Sequence, residues 1–176
     1  MKELHFDSID STNTYAKQHA KEFDHEFVCI TADEQTAGRG QFQRKWVSPK
    51  GVNIYATFYF RLPRDVKDLT RLAQLLAGSI EKVLLSEGLC PVMKWPNDIL
   101  LNGKKVCGVL CEVEFVETEV LVFLGMGVNV NMENFGEVDQ PATSLKVETG
   151  REWDRRDLLK KIQNQFMQDL EVWRHK

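Results

Sequence analysis

The chain has 176 residues, of which 43% are hydrophobic and 28% are charged, and its formal net charge is -3. This composition predicts one soluble globular domain over residues 1–176, because a disordered chain would be poorer in apolar residues. No stretch approaches the roughly 18 uninterrupted apolar residues of a membrane span. The N-terminus lacks a basic start followed by an apolar segment, so we expect no secretory signal and a cytoplasmic protein.

The positive charge is concentrated in two short segments. Residues 35–64 contain six basic residues and no acidic residue, and residues 88–111 contain three basic residues and one acidic residue. This leaves 14 of the 23 basic and 25 of the 26 acidic residues, a net charge of -11, for the rest of the chain. The pattern predicts a local anion site rather than the broad basic surface of a nucleic-acid-binding protein.

Short runs rich in β-branched and aromatic residues predict seven strands. In chain order they lie at 4–6, 27–32, 53–60, 99–101, 104–110, 120–124 and 128–130. Helices are predicted at 14–18, at 67–87, and from about Asp154 to Trp173. Asn102-Gly103 between two apolar runs favours a two-residue hairpin turn. The fold class is therefore α+β or α/β, with a mixed sheet.

The loop at residues 36–46 is the first candidate for chemistry. Gly38 and Gly40 would let the backbone approach a ligand, and Arg39 and Arg44 supply planar donors that suit phosphate or carboxylate. The spacing alone fits a solvated basic loop equally well. The loop is neither a Walker A loop nor a dinucleotide fingerprint, because the Gly-Lys-Ser/Thr sequence and the third glycine are missing.

Further candidates lie in the second basic segment and after it. The sequence Lys94-Trp95-Pro96-Asn97-Asp98 presents groups that suit a base, phosphates and a metal, although a capped turn with an ion pair is as consistent. Lys105 opens an apolar strand face that includes Cys107, so it either extends into solvent, the favoured interpretation, or meets an anionic partner. Asn129 and Asn131 are either turn residues or polar groups directed at a site.

Six segments, taken together and in this order, resemble the motifs of biotin protein ligases. They are Asp10-Ser11-Thr12-Asn13, Gly38-Arg39-Gly40 within residues 33–40, Trp46 within 44–49, Lys94-Trp95-Pro96-Asn97-Asp98, Lys104-Lys105 within 102–110, and Gly125-Met126-Gly127-Val128-Asn129 within 125–131. Each segment is modest alone, but the ordered set is highly specific. The resemblance implies a mixed sheet flanked by helices, as in class II aminoacyl-tRNA synthetases and lipoate ligases.

The resemblance also implies a reaction and its partners. Biotin would react with ATP to give biotinyl-5'-AMP and pyrophosphate. Biotin would then be transferred to one lysine of a biotin carboxyl carrier protein domain, an acetyl-CoA carboxylase subunit. ATP and Mg²⁺ would be required, with no bound prosthetic group, because activation relies on positioning and charge.

Site residues follow from the resemblance position by position. Lys105 and Arg39 would be catalytic, because cations beside a negatively charged transition state favour acyl-phosphate formation. The residues implied in biotin binding are Ser11, Thr12, Asn13, Gln35, Gly38, Arg39, Gly40, Gln41, Lys105 and Gly108. Those implied in ATP binding are Arg44, Trp46, Lys94, Asn97 and Asn129, with Asp98 as a Mg²⁺ ligand.

Three departures from the family pattern bear on these expectations. Gln41 stands where many members have arginine, which implies weaker retention of the adenylate. The helix-turn-helix domain of repressor members and the usual small C-terminal β-barrel have no counterpart in these 176 residues. Without the helix-turn-helix domain we expect no nucleic-acid partner, and without an apolar span we expect no membrane partner. The missing β-barrel fits either a truncated chain or a minimal ligase. A homodimer through exposed strands is compatible with the resemblance.

Two alternative functions remain at this stage. One is a lipoate or octanoate ligase or transferase of the same fold, against which the segments at 38–40 and 94–98 argue. The other is a non-catalytic biotin or nucleotide sensor, which would bind biotin but label no carrier.

Overall fold

The computed structural model describes residues 1–23, 27–136 and 140–175. Within these ranges the chain forms seven strands and four α-helices. In order they are β1 Lys2–Phe6, α1 Thr12–Gln18, β2 Val28–Ala32, β3 Ile54–Pro63, α2 Leu72–Ser86, β4 Val92–Lys94, β5 Asp98–Leu101, β6 Lys104–Phe115, β7 Glu119–Val128, α3 Leu145–Thr149 and α4 Arg155–Arg174. Short 3-10 helices lie at Gln41–Gln43 and Leu69–Arg71.

The strands form a seven-stranded sheet in the order β1-β2-β3-β7-β6-β5-β4. β1 pairs with β2 in parallel, whereas β2 with β3, β4 with β5, and β5 with β6 pair antiparallel. The sheet is therefore mixed, which confirms the predicted fold class.

The chain divides into two compact units. The first comprises Met1–Leu69 and Val109–Gly127, and the second comprises Thr70–Gly108 and Val128–Lys176. The first unit contains α1 and the strands β1, β2 and β3, and the second contains α2, α4 and the strands β4 and β5. β6 begins in the second unit and ends in the first.

In the first unit, α1 packs its apolar face on the strands. Ser11 caps the helix by accepting a hydrogen bond from the backbone N–H of Thr14. Ala16 and Ala20 are buried in one cluster with Tyr59 and Phe123. Ala16 in the helix and Ala20 just after it are small, so α1 lies close to the large strand residues, and the start of α1 lies beside the loop after β2.

In the second unit, α2 and α4 pack on each other. Each helix buries a stripe with helical spacing: Leu72, Leu76, Ile80 and Leu84 on α2, and Leu158, Ile162, Phe166 and Leu170 on α4. Asp154 caps α4 by accepting from the N–H groups of Arg156 and Asp157, as expected from its position. Among the described ranges, every helix is too short or too polar to cross a membrane.

The hairpin between β5 and β6 has the predicted turn. Asn102 and Gly103 adopt φ angles of 48° and 77°, which suit the primed turns that match the twist of paired strands. The alternation predicted for β6 is interrupted near its start, because Leu100 pairs with Lys105 while Ile99 pairs with Cys107. This bulge breaks the regular alternation that placed Lys105 and Cys107 on one face.

The predicted separate strand at 128–130 is wrong. β7 is one strand from Glu119 to Val128, and it runs through Gly125 and Gly127 without interruption. Asn129 and Val130 follow it outside the strand. Glycine usually weakens the interior of a strand, but here a Cβ on either glycine would overlap a side chain of the first unit.

Candidate active site

Thr12, at the start of α1, is tied to the loop after β2 by side chains of the first unit. Gln35 Oε1 accepts hydrogen bonds from the Thr12 N–H at 2.9 Å and from the Thr12 hydroxyl at 3.1 Å. The Gln35 amide donates to Ser48 Oγ at 3.1 Å, and the Ser48 hydroxyl donates to the Trp46 carbonyl at 3.0 Å. Thr12 and Gln35 are therefore held in one orientation by the protein itself.

Asn13 is buried and both ends of its amide are engaged. The Thr57 hydroxyl donates to Asn13 Oδ1 at 2.6 Å, and Asn13 Nδ2 donates to Glu112 Oε2 at 3.0 Å. Because an ionised carboxylate can only accept, Glu112 fixes which way the amide points. Asn13 is thus locked to β3 on one side and to β6 on the other.

Arg39 lies at the edge of the same network. Its Nη2 donates to Thr14 Oγ1 at 3.1 Å and lies 3.8 Å from Glu112 Oε2. Lys17 Nζ donates to Glu112 Oε1 at 3.2 Å. Burial disfavours the Glu112 carboxylate, but hydrogen bonds from Asn13 and Lys17 and the charges of Lys17 and Arg39 outweigh it and lower its pKa.

The glycine-bearing loop folds back on itself. The Gly40 N–H donates to the Arg44 carbonyl at 2.8 Å, and the Trp46 N–H donates to the Gly38 carbonyl at 2.9 Å. A Cβ on Gly38 would lie 2.6 Å from Ser48 Oγ and 2.7 Å from the Trp46 carbonyl, so only glycine fits. The loop is therefore tightly packed where Gly38 meets Trp46 and Ser48, whereas Arg44 is exposed.

The tip of the loop is open to solvent. Gln41 is half-buried, and Phe42 is 88% exposed with a φ of 56°, an unusual conformation for a bulky residue. The backbone amide of Arg44 donates to the Gln41 carbonyl at 3.2 Å and closes the turn.

The second unit contains a mostly buried ion pair. Lys105 Nζ lies 2.7 Å from Asp98 Oδ1, and the two side chains are 15% and 14% exposed. Asp98 is the first residue of β5, and Gly108 faces it on β6. The hairpin therefore positions the cation and the carboxylate, and the ion pair replaces the extension into solvent that Lys105 alone would suggest.

One segment holds the backbones of Lys105 and Asn129. The Lys105 N–H donates to the Pro141 carbonyl at 2.8 Å, and the Thr143 N–H donates to the Lys105 carbonyl at 2.9 Å. Asn129 is buried; its N–H donates to the Val106 carbonyl at 2.8 Å, and its Nδ2 donates to the Thr143 carbonyl at 3.1 Å. Thr143 thus connects two residues that the sequence assigned to the reaction.

Glu148 stabilises this segment from α3. It accepts hydrogen bonds from the Thr143 hydroxyl and from the Asn102 amide, and Lys104 Nζ lies 3.7 Å away. The hydrogen bond from Thr143 is the main reason why the pKa of Glu148 is lowered; burial opposes it, and Asn102 and Lys104 add to it. The hairpin turn and α3 are therefore linked by an ionised carboxylate.

The turn between β4 and β5 carries the remaining predicted residues. Lys94 ends β4 opposite Asp98 and is exposed, and Asn97 is half-buried. Trp95 is 73% exposed. This turn presents a cation and an indole to solvent beside the Asp98–Lys105 pair.

Comparisons with known proteins identify the family. Residues 5–129 match the model described as the Biotin/lipoate A/B protein ligase family. The chain belongs to this family.

Two curated relatives and one solved structure illustrate the similarity. The chain is 34% identical over 164 residues to the bifunctional ligase/repressor BirA of Bacillus spizizenii, covering 90% of this chain and 50% of that protein. It is 36% identical over 138 residues to the biotin–[acetyl-CoA-carboxylase] ligase of Paracoccus denitrificans, covering 74% and 57%. A biotin protein ligase from Aquifex aeolicus in complex with biotin and ATP matches with a TM-score of 0.81 and 32% identity, covering 99% of this chain and 72% of that one. The chain spans about half the length of the curated relatives it matches.

The residues predicted from the sequence make up part of the side-chain cluster in each of the two units. In the first unit the structure brings together Thr12, Asn13 and Gln35, with Arg39 at their edge, and in the second it joins Lys105 to Asp98 and ties its backbone to Asn129. Four supporting residues were missed: Ser48, Thr57, Glu112 and Glu148. Two of them left a signal, because Thr57 and Glu112 are polar residues inside otherwise apolar strand runs.

Proposed function

We propose that this chain couples biotin to ATP and transfers it to a lysine of a biotin carboxyl carrier protein domain. Family membership supports this reaction class, and the named relatives are biotin ligases. The single observation that carries the chemistry is the mostly buried Lys105–Asp98 pair, which keeps an ammonium in a fixed place. A fixed cation is what an anionic acyl-phosphate transition state requires.

In the first step, a biotin carboxylate oxygen attacks the α-phosphorus of ATP and the bond to pyrophosphate breaks. Lys105 would balance the negative charge shared by the carboxylate and the α-phosphate, while Asp98 orients its ammonium. Arg39 would supply a planar set of donors to an anionic group of the substrates. Asp98 would also contribute a ligand to Mg²⁺, since that ion commonly takes one or two carboxylates besides phosphates and, when bound, neutralises their charge.

The remaining site residues would act by binding. Ser11, Thr12, Asn13, Gln35, Gly38, Gly40, Gln41 and Gly108 would form the biotin side, and Arg44, Trp46, Lys94, Asn97 and Asn129 would form the ATP side. In the second step, the neutral amine of the carrier lysine attacks the acyl carbon, AMP leaves and the new amide nitrogen loses a proton. No side-chain nucleophile is needed, because the adenylate is already activated.

We also infer that residues 1–176 act as the catalytic domain and that they work in the cytoplasm. Among the described residues, Cys90, Cys107 and Cys111 form no disulfide bond, as is usual in a reducing compartment.

The first prediction tests Lys105. Lys105→Ala should lower the rate of biotin-dependent pyrophosphate release by roughly a hundredfold or more, because the transition-state charge loses its cation. Lys105→Arg should restore part of the rate. Lys160 is exposed, so Lys160→Ala is the control and should keep the rate of the unmodified protein.

Mass spectrometry of a carrier domain incubated with this protein, MgATP and biotin should show one added biotin.

Three outcomes would contradict the proposal. Near-normal turnover of Lys105→Ala would remove its assigned role. Biotin binding without any labelled carrier would identify a sensor. Labelling with lipoate or octanoate in preference to biotin would assign the chain to the other branch of the family.

A further inference from the structure

Two buried glycines of β7 face side chains that belong to the candidate site. Gly125 and Gly127 are two residues apart and so lie on the same face of the strand. A Cβ on Gly125 would overlap the amide of Asn13, and a Cβ on Gly127 would overlap the indole of Trp46. Each glycine thus leaves the space that one site side chain occupies.

Space, and not backbone conformation, explains these two glycines. Neither of them has a positive φ, unlike Gly88 and Gly103. By contrast, a Cβ on Gly78 in α2 would make an ordinary contact 3.8 Å from Met93 Cε. Alanine is therefore compatible with the backbone at 125 and 127 but not with the neighbouring side chains.

The side chains of Asn13 and Trp46 cannot make room for a methyl group without leaving their positions in the site. Asn13 is locked by Thr57 and Glu112, so a displaced amide would break both hydrogen bonds. The indole of Trp46 is a rigid plane, and the overlap involves its Cε2, Nε1 and Cζ2 atoms. A methyl group on Gly127 would therefore move the whole ring.

We propose that Gly125 and Gly127 are two separate positioning residues, Gly125 for the biotin side through Asn13 and Gly127 for the ATP side through Trp46. The inference rests on the proposed function, which assigns those two side chains to different substrates. It adds that one strip of β7 sets both positions, and that each can be disturbed alone.

The test compares three glycine-to-alanine variants of the full chain. Gly127→Ala should raise KM for ATP by about tenfold or more and leave KM for biotin within about threefold. Gly125→Ala should do the reverse, and Gly78→Ala should change neither value. Parallel changes in both KM values for Gly125→Ala and Gly127→Ala, or no change in either, would overturn the inference.

A double-mutant cycle keeps the test valid if Gly127→Ala folds poorly. In a Trp46→Ala background the overlap no longer exists, so Gly127→Ala should cost nothing further in KM for ATP or in melting temperature. Recovery of folding in the double variant supports the steric coupling. Additive effects of the two substitutions would refute it.

The unmodified protein separates this inference from the proposed function. If it releases no pyrophosphate with biotin and ATP, the proposed function has failed. If it does so and the two variants lose both substrates together, only the inference about the glycines has failed.

Discussion

Glu112 shows how one carboxylate organises several site residues. It accepts from Asn13 and Lys17 and lies 3.8 Å from the Arg39 guanidinium. Asn13 in turn accepts from the buried Thr57. A neutral residue at position 112 would leave the amide of Asn13 free to turn and the two cations without their shared anion.

The pH dependence of stability should reveal this role. The pKa of Glu112 is lowered from its ordinary value of 4.5, so its stabilising contribution is complete above about pH 4.5 and is lost as the pH falls through the folded-state value. Glu112→Gln should therefore lower the melting temperature at neutral pH. In acid the melting temperatures of the variant and of the unmodified protein should become equal. Melting curves recorded from neutral to acidic pH measure this difference.

Glu117→Gln is the matched control, because it removes the same charge from a side chain that is exposed in the turn between β6 and β7. It should leave the melting temperature nearly unchanged at every pH. A constant difference between Glu112→Gln and the unmodified protein down to low pH would show that the charge of Glu112 is not what stabilises the network.

The sequence predicted individual site residues through motifs but not their supports. Thr12, Gln35 and Lys105 lie in recognisable segments, whereas Thr57 and Glu112 lie in strands whose pairing is set by the rest of the chain. Their polarity was visible, but the partner of each is far away in sequence: Thr57 meets a residue 44 positions away, and Glu112 one 99 positions away. Local patterns cannot specify such pairs.

At the scale of elements, prediction succeeded where the signal was local. The Asn102-Gly103 turn and the start of α4 near Asp154 both depend on residues within a few positions of one another. It failed at β7, because Gly125 and Gly127 indicate a break locally but serve packing with α1 and the loop. The bulge near Lys105 was likewise invisible, since register depends on both strands.

The β5–β6 turn gives a stability prediction. Gly103 has a φ of 77°, so Gly103→Ala should cost about 1 to 2 kcal/mol through backbone strain. Gly78→Ala, inside α2 with room for a methyl group, should instead stabilise by roughly 0.5 to 1 kcal/mol. Urea denaturation of both variants measures the two free energies of unfolding.

The same pair of variants also connects the turn to function. Because the hairpin carries Asp98 and Lys105, Gly103→Ala should slow pyrophosphate release while Gly78→Ala leaves it unchanged. Equal stability for the two variants would contradict the assignment of a strained position at Gly103.

At the scale of the whole molecule, the structure refines the charge count. The six basic residues of segment 35–64 are spread too widely to act together. Arg61 lies about 23 Å along β3 from Ile54, which is the first residue of that strand and the end nearer in sequence to the loop at residues 36–46. Arg61 is paired with Glu119 at 3.0 Å, and Arg64 donates to the Val116 carbonyl. The other cations of this segment are Arg39, Arg44 and Lys45 of the loop and Lys50 after it, and Arg39 lies 3.8 Å from Glu112.

A charged loop on a chain of net negative charge should make ligand binding depend on salt in proportion to ligand charge. Raising sodium chloride from about 0.05 to about 0.5 M should weaken the binding of ATP by roughly tenfold, because exposed charges are screened over a few ångströms at high salt. The binding of biotin should weaken by less, and the binding of uncharged biotin methyl ester should hardly change. Calorimetric titrations of the three ligands measure the order. An ester as salt-sensitive as ATP would show that salt acts on the conformation of the protein rather than on the charge of its ligand.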